Sequence, residues 1–218
     1  KKKRINLINL DKKFAVVKKT RYLNTNKKKL FECYSYSGNN RTLKLNKNIL
    51  NKFKNKISEY DCVIISDFGH GFSSDDLYKV IQKGAKFLSI NVQTNAGNRG
   101  YNLATKYRKM DNLLIDLPEL QLATKDNSND VDSLTRKLSK KIKSKYFAVT
   151  KGKDGIFIFN TKTKKKISLS AFEAKPLDTM GAGDSVLGIS SLLFSINASI
   201  EVIAYISNLF GAISTSIL

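Results

Sequence analysis

Short apolar runs alternate with polar, Lys- and Asn-rich stretches along this chain, and the character of the runs changes near Tyr60. Before it, Phe14 to Leu23 and Leu30 to Tyr36 are β-rich runs joined by the polar segment NTNKKK. Phe31, Cys33 and Ser35 alternate there with Glu32, Tyr34 and Tyr36, which predicts an antiparallel hairpin. Because both faces carry polar groups, the hairpin is expected as a thin sheet exposed on one side, a lid spanning about 14–36.

From Tyr60 the pattern becomes one of buried strands and helices in turn. YDCVIISD has the composition of a parallel-sheet strand. Ser73 or Ser74 is placed to cap a helix running to about Gln82, Gly84 to stop it, and KFLSIN to form the next strand, ending at Asn91. NLLID, Asn112 to Asp116, predicts a third strand. Pro118 fits the first turn of a short helix, and Asn129 or Asp130 caps a second helix over Val131 to Lys143. YFAVT, IFIFN and KKISLS, separated by KGKDG and a second turn, predict a meander. Ser185 to Ile196 and Ile200 to Ile213 are helical by length and carry almost no charge beyond Glu201, so they are expected to be largely buried. Alternating βα units, a small β section and terminal helices imply an α/β sandwich with no internal repeat.

Composition narrows the class. The 218 residues, 41% hydrophobic and 10% aromatic, suffice for one globular domain and exclude a disordered chain. No charge-free apolar stretch reaches membrane-spanning length, and KKKRINLINLD is too short in apolar residues for a secretory signal, so no membrane association and a cytoplasmic location are expected. Cys33 and Cys62 lack CxxC partners and the lone His70 cannot build a His-based metal site. A net charge of +21 raises the question of nucleic acid, but the lysines sit in short runs beside Asn and Thr, with little Arg and no aromatic-basic alternation. No nucleic-acid partner is therefore expected.

The densest chemistry lies in DTMGAGD, Asp178 to Asp184, followed by an apolar helix. Gly181, Ala182 and Gly183 let backbone N–H groups converge at a helix start, where the dipole adds positive potential, and so form an anion hole. Asp184 is the ionisable side chain of that first turn and suits a base for an attacking hydroxyl. The same residues also read as a tight turn with a dipole-compensating Asp.

DTMGAGD resembles the DTxGAGD signature of the ribokinase-like, or PfkB, sugar kinases, and other segments match that family in order from about Phe14 onward. The resemblance implies a three-layer sandwich with a mostly parallel sheet and a small β lid. It implies ATP as phosphoryl donor, Mg²⁺, a monovalent cation, and Asp184 as the residue that takes the sugar hydroxyl proton. Asp116-Leu117-Pro118-Glu119 resembles the family's NxxE metal motif, with Asp116 where Asn is usual and Glu119 retained. VTKGKDG resembles the vTxGxxG segment beside the nucleotide, assigning Thr150, Gly152 and Gly155 to it, and Asn208 falls near the adenine.

On the sugar side, SDFGHG resembles the SDYGKG segment of the kinase domain that phosphorylates a heptose phosphate during ADP-heptose synthesis, assigning Asp67 to substrate. His70 replaces the Lys of that segment. KKTRYL resembles the same subgroup's lid strand, placing Arg21 near a sugar phosphate. After Ile90 the chain departs from that subgroup's DPK-like segment. Asn91, Gln93 and Asn95 are neutral where acidic and basic groups are expected, although amides hydrogen-bond sugar hydroxyls well.

The expectation is one kinase domain over 1–218, incomplete at its amino terminus, continuing past Leu218 and compatible with a fused nucleotidyltransferase domain and with a homodimer through the lid. Two alternatives remain at this point: a catalytically silent nucleotide or sugar-phosphate binding protein, and a basic nucleic-acid-binding domain.

Overall fold

The computed structural model describes residues 17–25, 29–35, 45, 47–71, 74–95, 97–172 and 179–216. Strands β1 (Lys18–Leu23) and β2 (Lys29–Ser35) form an antiparallel pair, in which Tyr22 stacks on Phe31 with ring centroids 4.5 Å apart. Phe14 to Val16, Tyr36 and half of the connecting NTNKKK segment lie outside the described residues. This small sheet is largely exposed, with Thr20, Glu32 and Tyr34 half-buried.

Among the described residues the main sheet has six strands: β3 (Val63–Asp67), β4 (Leu88–Val92), β5 (Lys109–Asp116), β6 (Lys143–Thr150), β7 (Ile156–Asn160) and β8 (Lys166–Leu169), in that spatial order. The first four run parallel and the last three form the antiparallel meander. Helices α1 (Lys47–Lys56), α2 (Asp75–Gly84), α3 (Leu117–Thr124) and α4 (Val131–Ser139) are joined by α5 (Ala182–Ser195) and α6 (Ile200–Thr215). No sequence signal had singled out α1. Ser74, not Ser73, caps α2 through its hydroxyl, and Asp130 caps α4. α4 ends at Ser139 rather than reaching Lys143, because Lys143 already pairs with Lys109 as the first residue of β6.

Alternation along the strands divides the core. Leu113, Ile115, Phe147, Val149, Phe157 and Phe159 face α2, α3 and α4. Leu114, Tyr146, Ala148, Ile156 and Ile158 face α5 and α6, where Phe194 and Ile203 are fully buried. Successive strand residues point to opposite faces, so a continuous apolar run feeds both layers at once.

The terminal helices are less buried than their composition predicts. Leu192, Ile196 (72% exposed), Val202, Tyr205, Phe210 and Ile213 face away from the sheet. A helix packed on one sheet buries only the stripe that meets it, and low charge alone does not bury the remainder.

Candidate active site

The carboxyl ends of β4, β5 and β6 and the starts of α3 and α5 surround a cavity of about 410 Å³. Asn91, Asp116, Glu119 and Thr150 line it, as do Gly152, Gly155, Ala182, Gly183 and Asn208. Residues far apart in the chain are thus gathered where open parallel sheets generally receive ligands. A larger cleft of about 760 Å³ lies at the opposite ends of β5 and β6, lined mainly by basic residues such as Lys109, Lys140 and Lys143. It gathers neither the glycine loops nor the carboxylate pair.

Gly181 precedes α5 with φ 80°, a left-handed conformation that favours glycine, and an added Cβ at Gly181 or Gly183 would meet nothing within 4 Å. The cradle is open, although the Ala182 N–H leans toward the Thr179 carbonyl at 3.4 Å. Asp178 lies outside the described residues. Asp184 is exposed in the first turn and its Oδ1 accepts a hydrogen bond from Gln93 Nε2 at 3.1 Å. Gln93 therefore ties the β4 loop to the helix carrying Asp184, a contact that no local sequence pattern marks.

Two turns further along α5, Ser191 donates to Ser89 Oγ at 2.7 Å, and Asn112 Nδ2 donates to the same oxygen at 2.8 Å. All three residues are fully buried between β4, β5 and α5. A polar contact in an apolar layer has few alternative partners, so this seam sets the position of the helix against the sheet.

Asp116 and Glu119 make a reciprocal cap at the start of α3. Asp116 Oδ1 accepts from the Glu119 N–H at 2.7 Å, and Glu119 Oε2 accepts from the Asp116 N–H at 3.0 Å. Glu119 Oε1 also accepts from the Thr94 N–H at 2.8 Å. Burial, with the neighbouring Asp116 charge adding to it, pushes the Glu119 carboxyl up to about 7, and loss of hydration raises that of Asp116. The unfolded chain releases the Glu119 proton near its ordinary value of 4.5. The folded state therefore binds more protons between about pH 4.5 and 7, and stability is expected to fall as pH rises through that window. Urea melts across it should show the decline, and Glu119→Gln should flatten it; an unchanged slope in that variant would assign the decline to other groups.

Both carboxylates and Asn91 offer oxygen, the donor that Mg²⁺ requires. Among the described residues no three His, Cys, Asp or Glu side chains form a protein-only metal cage. That suits Mg²⁺, which is commonly held by one or two carboxylates together with phosphates and water.

Other residues expected at the site have partners within the protein. Asp67 is 4% exposed and its carboxylate is occupied by the Gly69 N–H, the Tyr107 hydroxyl at 2.8 Å and the Lys106 ammonium, so it locks two loops and is not among the cavity-lining residues. Arg21 is likewise not among them; it pairs with Glu32 at 3.5 Å on the small sheet. The Asn95 amide donates to the Phe68 carbonyl at 3.0 Å and its oxygen accepts from the Gly97 N–H, which fixes loop shape. Asn208 Nδ2 donates to the carbonyls of Leu169 and Ser170, so its amide hydrogens anchor the end of β8. His70 lies edge-on to Tyr34 at 6.4 Å, joining the small sheet to the Asp67 loop.

The family profile described as pfkB family carbohydrate kinase matches residues 17–216. The bifunctional protein HldE of Campylobacter fetus subsp. fetus (strain 82-40) is 32% identical over 168 residues, which is 76% of this chain and 35% of that protein. The protein of the same name from Helicobacter hepaticus is 30% identical over 162 residues, 72% of this chain and 32% of its own length. This chain thus spans about a third of the length of these curated relatives. Phosphofructokinase-2 from Escherichia coli in complex with potassium superposes with a TM-score of 0.63 at 20% identity, over 79% of this chain and 57% of that one. Arabidopsis thaliana ribokinase complexed with ribose and ATP gives 0.62 at 16% identity, over 86% and 60%. At such identities the likeness is one of fold. The chain's mixed α/β architecture is that of these sugar kinases, and the match over nearly its whole length makes it a member of the pfkB family of carbohydrate kinases.

Proposed function

We propose that this protein transfers the γ-phosphoryl group of ATP to a hydroxyl of a sugar or sugar phosphate, with a heptose phosphate destined for nucleotide activation as the favoured acceptor. The observation that carries the reading is the single cavity joining Asp116, Glu119, Thr150 and Gly183, with the Asp184 carboxylate exposed beside it. The SDFGHG segment and the name HldE carried by the curated relatives support the heptose acceptor.

In this reading Asp184 accepts the proton of the attacking hydroxyl as phosphoryl transfer proceeds, and Gln93 holds the carboxylate in position until the substrate arrives. The N–H groups of Gly181, Ala182 and Gly183 meet the oxygens on which charge gathers. Asp116 and Glu119 are the residues that would hold Mg²⁺, which when bound supplies charge neutralisation to the phosphates. Thr150 and Gly152 border the nucleotide, while Gly155 and Asn208 keep the walls of its site in place.

The β1–β2 sheet, with Tyr22, Leu30 and Phe31 exposed, is proposed as a lid and as a contact between two copies of the chain. A fused nucleotidyltransferase domain, a requirement for potassium and a cytoplasmic location belong to the same proposal. Among the described residues no helix is long and apolar enough to cross a membrane.

The test is ADP release by the purified whole protein with ATP, Mg²⁺ and a panel of sugars and sugar phosphates, beside a salt-titrated oligonucleotide assay. Turnover with a heptose phosphate, at about 1–100 per second for a kinase, is the expected result. ATP binding without turnover on any acceptor would favour the silent binding protein. Oligonucleotide binding that falls steeply with salt, with no turnover, would favour nucleic acid as the partner.

A further inference from the structure

One wall of the cavity is shared by two neighbouring parallel strands whose ends differ in charge: neutral Asn91 on β4 and anionic Asp116 on β5. Asn91 is 5% exposed. Its Nδ2 donates to the Leu114 carbonyl at 2.9 Å, which fixes the orientation of the amide because only nitrogen can face that oxygen. Its Oδ1 is buried and has no hydrogen-bond partner among the described residues. A buried acceptor in a cavity wall that nothing in the protein satisfies points to a donor arriving from the cavity. Asp116 commits Oδ1 to the cap of α3 while the residue itself stays exposed.

The same two positions are among those at which the chain departs from the kinases it resembles. By that resemblance Asp116 stands where Asn is usual, and Asn91 is one of three neutral residues, with Gln93 and Asn95, that stand where acidic and basic groups are expected. Asn91 and Asp116 are distant in sequence, and register places Asn91 opposite Leu114, two residues before Asp116 on the adjacent strand. Both departures therefore occur in one cavity wall.

We propose that Asn91 and Asp116 serve one hydrated divalent cation as an exchangeable pair: a single carboxylate between them, carried here at 116, while the Asn91 carbonyl oxygen accepts a hydrogen bond from water on the ion. This deepens the proposed function and rests on its Mg²⁺ reading. The charge stands at the more open of the two positions, since an anion at buried residue 91 would lose more hydration. Carboxylates at both positions, added to Glu119, would place three negative groups beside the phosphates of a nucleotide.

Mn²⁺, which takes the same oxygen ligands, is the probe, and its binding to the whole protein without sugar is read by water-proton relaxation. Asp116→Asn preserves a good helix cap, so the fold is retained while Mn²⁺ binding weakens by roughly 10–100-fold. Adding Asn91→Asp to that variant should recover most of the loss. Asn91→Ala with Asp116 intact should weaken binding several-fold, and it carries the test alone if circular dichroism shows the double variant misfolded. Unchanged Mn²⁺ affinity in Asp116→Asn or in Asn91→Ala, or a native-like double variant without recovery, overturns the inference. A recovery pattern in a protein that phosphorylates no sugar would reject the kinase reading and leave the cation pair standing; kinase activity without recovery would do the reverse.

Discussion

Replacing Asp184 by Asn is expected to lower phosphoryl transfer by about 10²–10⁴-fold while leaving the fold and nucleotide affinity in place. The substitution is nearly isosteric, and the side chain is exposed in the first turn of α5, where it packs against no core residue. The oxygen of Asn still accepts the hydrogen bond from Gln93 Nε2, so the tie between the β4 loop and α5 survives. The change removes the ability to take a proton from an incoming hydroxyl. Surface substitutions of this kind usually shift stability by no more than about 0.5 kcal/mol, so a thermal midpoint near that of the parent should accompany the loss. ADP release with saturating sugar acceptor, measured beside the affinity for a non-hydrolysable ATP analogue, checks both halves. Near-parental turnover would remove Asp184 from the chemistry, whatever the cavity around it contains.

Gly155→Ala is expected to destabilise the fold by more than about 3 kcal/mol, among the largest effects available to a single added methyl group. Gly155 has φ 82° and ψ −135°, a region essentially reserved for glycine, and a Cβ there would sit 2.0 Å from the Leu169 carbonyl oxygen and 2.6 Å from the Ala171 nitrogen. Those obstacles are main chain at the end of β8 and cannot rotate away. The carbonyls of Leu169 and Ser170 also hold Asn208, so displacing them would pull the β8 end from α6 and deform the nucleotide side of the cavity. Gly152→Ala is the control: φ is 57° with nothing within 4 Å of the added atom, and a cost of about 1–2 kcal/mol is expected. Urea melts of the two variants compare them directly. Equal losses would mean that β8 yields easily, and that the approach of the KGKDG turn to it is not the reason for glycine at 155.

The motif glycines illustrate how far the sequence could be read. VTKGKDG is visible as a turn between two strands, and the resemblance assigns its glycines to the nucleotide. The structure adds that the close approach permitted by Gly155 is to the chain's own backbone, whereas Gly152 faces open space. Asp67 teaches the same lesson. Its place at the end of a parallel strand is legible in YDCVIISD, but its partners Lys106 and Tyr107 come from a loop nearly forty residues on, at separations of 39 and 40 positions, and no local pattern announces them.

The strands themselves, the two-faced core and the helix caps follow from short-range rules: apolar runs bounded by Gly, Pro and polar residues, Ser74 and Asp130 before apolar periodic segments, and Pro118 in a first turn. The sequence by itself therefore determined the α/β class, nearly every element and the chemical character of the DTMGAGD loop. Tertiary structure alone decided that Asn91, Asp116, Glu119 and Gly183 border one cavity, that Gln93 reaches Asp184, and that Asp67 and Arg21 are committed to other partners. Local elements answer to neighbours within a few positions, whereas a site is built by strand order and register, which bring distant residues together only when the sheet assembles.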